Sequence, residues 1–213
     1  MDIGCGSGLW GIEVAKQFPS ATVYGVDLSL YARDAPPNCH FIRGNLHAGL
    51  KFLDGTLDLV QSRIIMSGVT DTQWPGFAKD IFRVCKPGGW AQVVEASAFL
   101  FCDDESVPED SPIWEYQKYE HEIWEVEQGF LWTPYHIKTR LEAAGFVDVE
   151  TKEFRINGYG EGAKDAVDVW SGVVEPLVRE MDRYYPDPVE RARFAGRVVH
   201  DMRDESYHLH SIL

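Results

Sequence analysis

Apolar and polar positions alternate along this chain between short buried-strand patterns and amphipathic helical ones. Ala21–Asp27, His40–Asn45, Leu57–Arg63 and Trp90–Glu95 read as strands, compact and rich in β-branched and aromatic residues, as a sheet covered on both faces requires. Helical spacing follows Gly8, and returns over Trp74–Cys85, where Phe77, Ile81, Phe82 and Val84 form the apolar stripe. This alternation over the first 97 residues predicts a parallel sheet with helices on both faces. Ile113–Gln128, Thr133–Ala144, Ser171–Tyr185 and Val189–Arg203 read as further helices. Thr133 precedes Pro134 as an N-cap, Gly145 supplies a stop, and Pro186-Asp187-Pro188 separates the last two. Val147–Ile156 and the weakly alternating Tyr207–Leu213 read as strands. With no repeat or low-complexity linker, residues 1–213 are expected to form a single domain, with 98–132 and 157–203 as helical insertions.

The first eight residues, Met1-Asp2-Ile3-Gly4-Cys5-Gly6-Ser7-Gly8, change the picture most. Alternating glycines between a strand and a helix let backbone approach a ligand that a Cβ would exclude. The helix N-terminus beyond them offers free N–H donors. Gly6-Ser7-Gly8-Leu9-Trp10-Gly11 is a literal dinucleotide fingerprint, which makes NAD-dependent oxidoreduction a remote reading. Asp2 weighs against it, because a dinucleotide fold usually carries an apolar strand residue there. Asp27, ending its strand, is placed to accept both hydroxyls of a ribose.

Asp2-x-Gly4-x-Gly6-x-Gly8 resembles the first motif of class I S-adenosylmethionine (SAM) dependent methyltransferases, and the later segments arrive in that family's order. Lys86-Pro87-Gly88-Gly89 between helix and strand is a specific feature of it, which a dehydrogenase has no reason to carry. Gly-Leu-Trp-Gly-Ile after the glycine loop, Val-Tyr-Gly-Val-Asp-Leu-Ser, Gln-Ser-Arg-Ile-Ile and Leu141-Glu142-Ala143-Ala144-Gly145-Phe146 are similar to the fungal LaeA-like (UMTA-type) group. The resemblance covers residues 1 to about 155. It implies an α/β Rossmann-like fold with a seven-stranded, mostly parallel sheet and an antiparallel last strand, its termini incomplete, since only Met1–Ile3 precede Gly4. It also implies SAM as cofactor, held by Asp2, Gly4, Cys5, Gly6, Gly8, Asp27, Leu28, Asn45, Leu46 and Ser62. Asn45 stands where the family commonly has Asp to accept from the adenine amino group; its amide oxygen still accepts.

Composition narrows the partner. A formal net charge of −14 makes a nucleic-acid partner unexpected, and no Lys/Arg run appears. Cys5, Cys39, Cys85 and Cys102 form no C-x-x-C pair and read as reduced thiols of an intracellular protein, cytoplasmic or nuclear. No apolar run reaches membrane length. His121-Glu122-x-x-Glu125 lacks the second His of a zinc helix, so no metal is expected. Glu95, His121, Tyr135 and His136 are candidate bases, each with a bland alternative such as ending a strand or capping a helix, and no catalytic residue is assigned. Trp114, Tyr116, Tyr119 and Trp124 either line an aromatic acceptor pocket or pack a helix. Arg63 pairs with a site carboxylate or with the acidic insertion, a purely structural salt bridge being the default. The expected function is methylation of a small molecule, at oxygen, in secondary metabolism; the alternative is a non-catalytic methyltransferase-fold regulatory or interaction protein.

Overall fold

The computed structural model describes residues 1–30, 34–65, 68–97, 99–124 and 133–213, the side chains of residues 133 and 134 excepted. The chain divides into two compact units, Met1–Glu95 with Trp132–Thr151, and Ala96–Leu131 with Lys152–Leu213.

The first unit is an α/β layer structure. Strands β1 (Asp2–Ile3), β2 (Val23–Asp27), β3 (Cys39–Arg43), β4 (Leu57–Arg63) and β5 (Cys85–Val94) form one parallel sheet in the order β3-β2-β1-β4-β5. Although β1 is two residues long, it occupies the centre. Asp2 pairs with Gly25 on one side and Gln61 on the other, and Ile3 is fully buried. Helix α1 (Leu9–Gln17) turns Ile12 and Ala15 onto Val23 and Cys39. The Asn38 amide fastens the end of that helix, donating to Ala15 O at 3.0 Å and Ala21 O at 2.9 Å. Helix α2 (Trp74–Val84) buries Trp74, Phe77, Ala78, Ile81 and Val84, a stripe at helical spacing, against Ile3, Val26 and Val60. Helix α4 (Thr133–Ala144) is tied to the same unit by Arg140, which donates to Asp71 at 2.8 Å, and by the edge-on contact of Phe146 with Phe82 beyond its end.

In the second unit, β6 (Phe101–Cys102), β7 (Arg155–Asn157) and β8 (Leu209–Ile212) form an antiparallel sheet ordered β6-β8-β7. Helices α3 (Pro112–His121), α5 (Ala163–Arg179) and α6 (Pro188–Met202) bury Ile113, Tyr116, Val174, Val178, Phe194 and Val198 together. Asp187 caps α6, its carboxylate accepting from Val189 N at 2.7 Å.

The α/β Rossmann-like class and parallel sheet agree with the sequence pattern, but the strand count in one sheet does not. The last strand is antiparallel as expected. Its partners are β6 and β7 in a separate sheet, so the described strands divide five and three instead of forming one sheet of seven. The strand expected over Val147–Ile156 is reduced to β7, preceded by a Phe154–Leu213 backbone pair. Val147 and Phe154 are exposed, so the apolar residues that prompted that expectation have no core to enter. Helix α5 begins before the expected Ser171 because Ala163 and Val167 extend its buried stripe, and it ends at Arg179. The expected helix Ile113–Gln128 is α3 up to His121; residues 125–128 lie outside the described residues. No helix among the described residues is long and apolar enough to cross a membrane.

The Lys-Pro-Gly-Gly segment explains itself sterically. Pairing shifts register between Leu57 and Leu59, from Leu57–Cys85 to Leu59–Trp90. A Cβ on Gly89 would lie 3.0–3.1 Å from the carbonyl oxygens of Lys86, Asp58 and Leu57, whereas one on Gly88, at φ +77°, would meet nothing. Gly89→Ala should therefore cost about 1–3 kcal/mol by overpacking against backbone, and Gly88→Ala only the left-handed penalty of about 1–2 kcal/mol. Urea melts of both variants check the order.

Candidate functional site

The turn from β1 into α1 is built by three glycines with positive φ: Gly4 at +67°, Gly6 at +52° and Gly8 at +76°. Gly4 N and Cys5 N donate to Val26 O at 2.8 and 3.2 Å, so the turn hangs on the neighbouring strand. A Cβ on Gly4 would come within 2.4 Å of Ile65 Cγ2, but on Gly6 it would meet nothing within 4 Å. Gly4 is thus required by packing, while Gly6 presents bare backbone to open space. Gly8 is the left-handed N-cap of α1, with no side-chain cap on that helix end.

Two carboxylates flank this turn. Asp27, at the end of β2, accepts from Gly6 N and from Ser29 N, both at 2.9 Å. Asp2, on the central strand, is buried and its carboxylate makes no hydrogen bond among the described residues. Loss of water pushes its pKa up to about 6; the Arg63 guanidinium and the amino terminus offset part of that, and Asp27 adds to it. Arg63 lies near enough to influence the Asp2 carboxylate electrostatically, and forms no ion pair with it among the described residues. Burial first, then the Asp2 and Asp27 charges, push the Cys5 thiol up to about 12 and keep it protonated.

The other residues expected to hold the cofactor are distributed around the carboxyl ends of the same strands. Leu28 is 60% exposed immediately after Asp27. The Asn45 amide oxygen already accepts from His47 N at 3.0 Å, capping a short helical turn at Leu46–Ala48, and retains a second lone pair. Leu46 packs half-buried against the core. Ser62, paired across the sheet with Ile3, is buried, and its hydroxyl has no partner among the described residues.

Sequence reasoning passed over Ile65, which fills the space a Cβ on Gly4 would need. Ile64 precedes it at φ +51°, a costly conformation for a β-branched residue, and Glu95 Oε1 accepts from Ile65 N at 3.0 Å in the interior. The signal was present in Gln-Ser-Arg-Ile-Ile, whose last two residues are these. Among the candidate bases, Glu95 is thereby engaged in holding the segment after β4. His121 lies in the second unit with its ring 5.8 Å from Phe99, and Tyr135 and His136 are exposed on α4. The aromatic residues of α3 are largely core: Tyr116 is buried, and Trp114 and Tyr119 pack on the same cluster.

The raised pKa of Asp2 has a stability consequence of definite sign. Its folded value of about 6 exceeds the unfolded value near 4, so the folded chain binds the extra proton and stability falls as pH rises between them. Asp2→Asn should remove this slope and stabilise the ligand-free chain at pH 7 by up to about 3 kcal/mol. Urea denaturation at pH 4.5, 6 and 7.5 measures it.

Residues 1–89 match the family model described as a methyltransferase domain. The chain is similar to the secondary metabolism regulator laeA of Monascus pilosus, 27% identical over 228 residues, covering 100% of this chain and 61% of that protein. It is also similar to the protein-methionine methyltransferase laeA of Emericella nidulans, 35% identical over 109 residues, covering 50% of this chain and 29% of that protein. The chain thus spans less than two thirds of these curated relatives. A solved structure described as a methyltransferase from Bacillus halodurans shares the fold, with a TM-score of 0.53 at 20% identity over 99% of this chain and 87% of that one. Residues 1–89 thus match a methyltransferase domain, and over its length the chain is similar to the fungal LaeA and LAE1 proteins.

Proposed function

We propose that this chain is a SAM-dependent methyltransferase acting on a small molecule at oxygen. The observation that carries the reading is the glycine turn, whose open backbone at Gly6 lies between one carboxylate that braces the turn and another that is buried with no hydrogen bond among the described residues. A buried, unbonded carboxylate is costly unless a cation or donor reaches it. SAM fits this donor set, having an ammonium for Asp2 and a ribose diol for Asp27. Gly4, Cys5, Gly6 and Gly8 would hold its amino-acid part, Leu28, Asn45 and Leu46 its adenosine part, and the orphan Ser62 hydroxyl a polar atom between them.

The cofactor, when bound, supplies an electrophilic methyl group on a sulfonium. This chain's residues bind and orient it. Asp27 spends one oxygen on Gly6 N and another on Ser29 N, and both oxygens keep lone pairs for hydroxyl donors. Glu95 fixes Ile65, and Ile65 fixes Gly4, so the turn is set before any ligand arrives. In-line displacement chiefly needs alignment and exclusion of water, and no side chain is assigned as a base.

A second reading, a protein acceptor, is favoured by the relative in Emericella nidulans described as a protein-methionine methyltransferase. The two separate in one assay using SAM labelled in its methyl group with fungal small-molecule extract and protein supplied as separate acceptor fractions. The proposal expects label in extractable small molecules, reduced at least about tenfold by Asp27→Ala, equivalent to losing about 1.4 kcal/mol of cofactor interaction. Label confined to protein supports the second reading. No transfer to either, by a chain that binds cofactor, overturns both in favour of a regulatory protein.

A further inference from the structure

An isolated basic groove occurs on the second unit of this acidic chain. It has a volume of about 630 Å³ and is lined by Arg193, Gly196, Arg197, His200 and Asp201 of α6 and by Pro112 at the start of α3. Arg193, Arg197 and His200 recur at i, i+4 and i+7, so they share one helix face. Gly196 lies between them without a side chain, and a Cβ there would meet nothing within 4 Å, which leaves the floor open. Neither Arg193 nor Arg197 forms an ion pair among the described residues; Arg197 instead spreads over the Phe194 ring at 5.6 Å.

The acidic groups nearby are already engaged or displaced. Asp201 accepts from Ser111 Oγ at 2.7 Å through one oxygen and faces His200 Nδ1 at 3.3 Å with the other. Asp187 is occupied as the α6 cap, and Glu190 stands one turn before Arg193 without pairing to it among the described residues. The arginine charges are therefore left uncompensated in a protein of formal net charge −14, where other anions are repelled.

We propose that this groove binds an extended acidic peptide segment carrying carboxylates on alternate residues. The row sets Arg193 and Arg197 about 6 Å apart along the helix axis, with His200 about 4.5 Å further along it. Same-face side chains of an extended peptide recur every 6.6–6.8 Å or so, so two successive carboxylates meet Arg193 and Arg197 as charge-assisted pairs. A nucleic acid is the poorer match, because two arginines and a histidine offer little neutralisation to a repeating phosphodiester on an acidic protein.

Fluorescence anisotropy tests this with a fluorescein-labelled nonapeptide alternating Glu and Ser, and a matched peptide alternating Gln and Ser. The intact chain should bind the Glu peptide, weaken as salt is raised, and ignore the Gln peptide. Arg193→Glu with Arg197→Glu should lose at least about tenfold in affinity, and the Gln pair at the same positions should lose affinity without reversing charge. Both positions are exposed, so thermal melts of these variants should match the parent. Absence of binding, equal binding of the two peptides, equal binding by the variants, or displacement by a single-stranded oligonucleotide at lower concentration than unlabelled peptide would each overturn the proposal.

Discussion

A carboxylate carried into the middle of a parallel sheet by a two-residue strand is the constraint on which the first unit turns. Asp2 pairs through its backbone with both β2 and β4, so its side chain has no freedom to seek solvent. Burial, with no hydrogen-bond donor to its carboxylate among the described residues, raises its pKa, and the guanidinium of Arg63 offsets that only in part. Such a group weakens the free protein and strengthens the hold on any ligand that brings a positive charge to it. In the proposed reading the destabilised residue and the ligand-binding residue are the same.

The surrounding architecture makes that position usable. Three left-handed glycines reverse the chain within a few residues of Asp2, and Asp27 grips the turn from the next strand. On the other side Ile65 presses where Gly4 lacks a side chain, held by a strained residue before it and by Glu95 behind it. The site is thus braced from β2, β4 and the end of β5. Binding energy need not be spent on ordering the turn.

Much of this was legible in the chain because its causes are local. Glycines at alternate positions, an acid ending a compact apolar strand and a Gly-Gly pair after a helix each announce a backbone geometry that few other residues permit. Leu57–Arg63 could be bounded from its sequence, since its flanks break the pattern cleanly. What escaped depends on partners distant in sequence. Val147 and Phe154 look like strand residues, but stand exposed. The pairing of β8 with β6 and β7 is decided by tertiary geometry that short alternation does not encode. By residue type Glu95 is a candidate base or simply a strand end; its hydrogen bond from Ile65 N shows it holding the segment after β4.

The most direct test of the account is calorimetric titration of the chain with S-adenosylhomocysteine at pH 6 and pH 7.5, each in two buffers of different ionisation enthalpy. A ligand ammonium reaching Asp2 must drive off the proton that burial retains. The account predicts binding with proton release at pH 6, little release at pH 7.5, and no such difference in Asp2→Asn. Binding with no proton release at pH 6, or with the same release in Asp2→Asn, would contradict the central role given to that carboxylate; no binding by the folded chain would contradict the site itself.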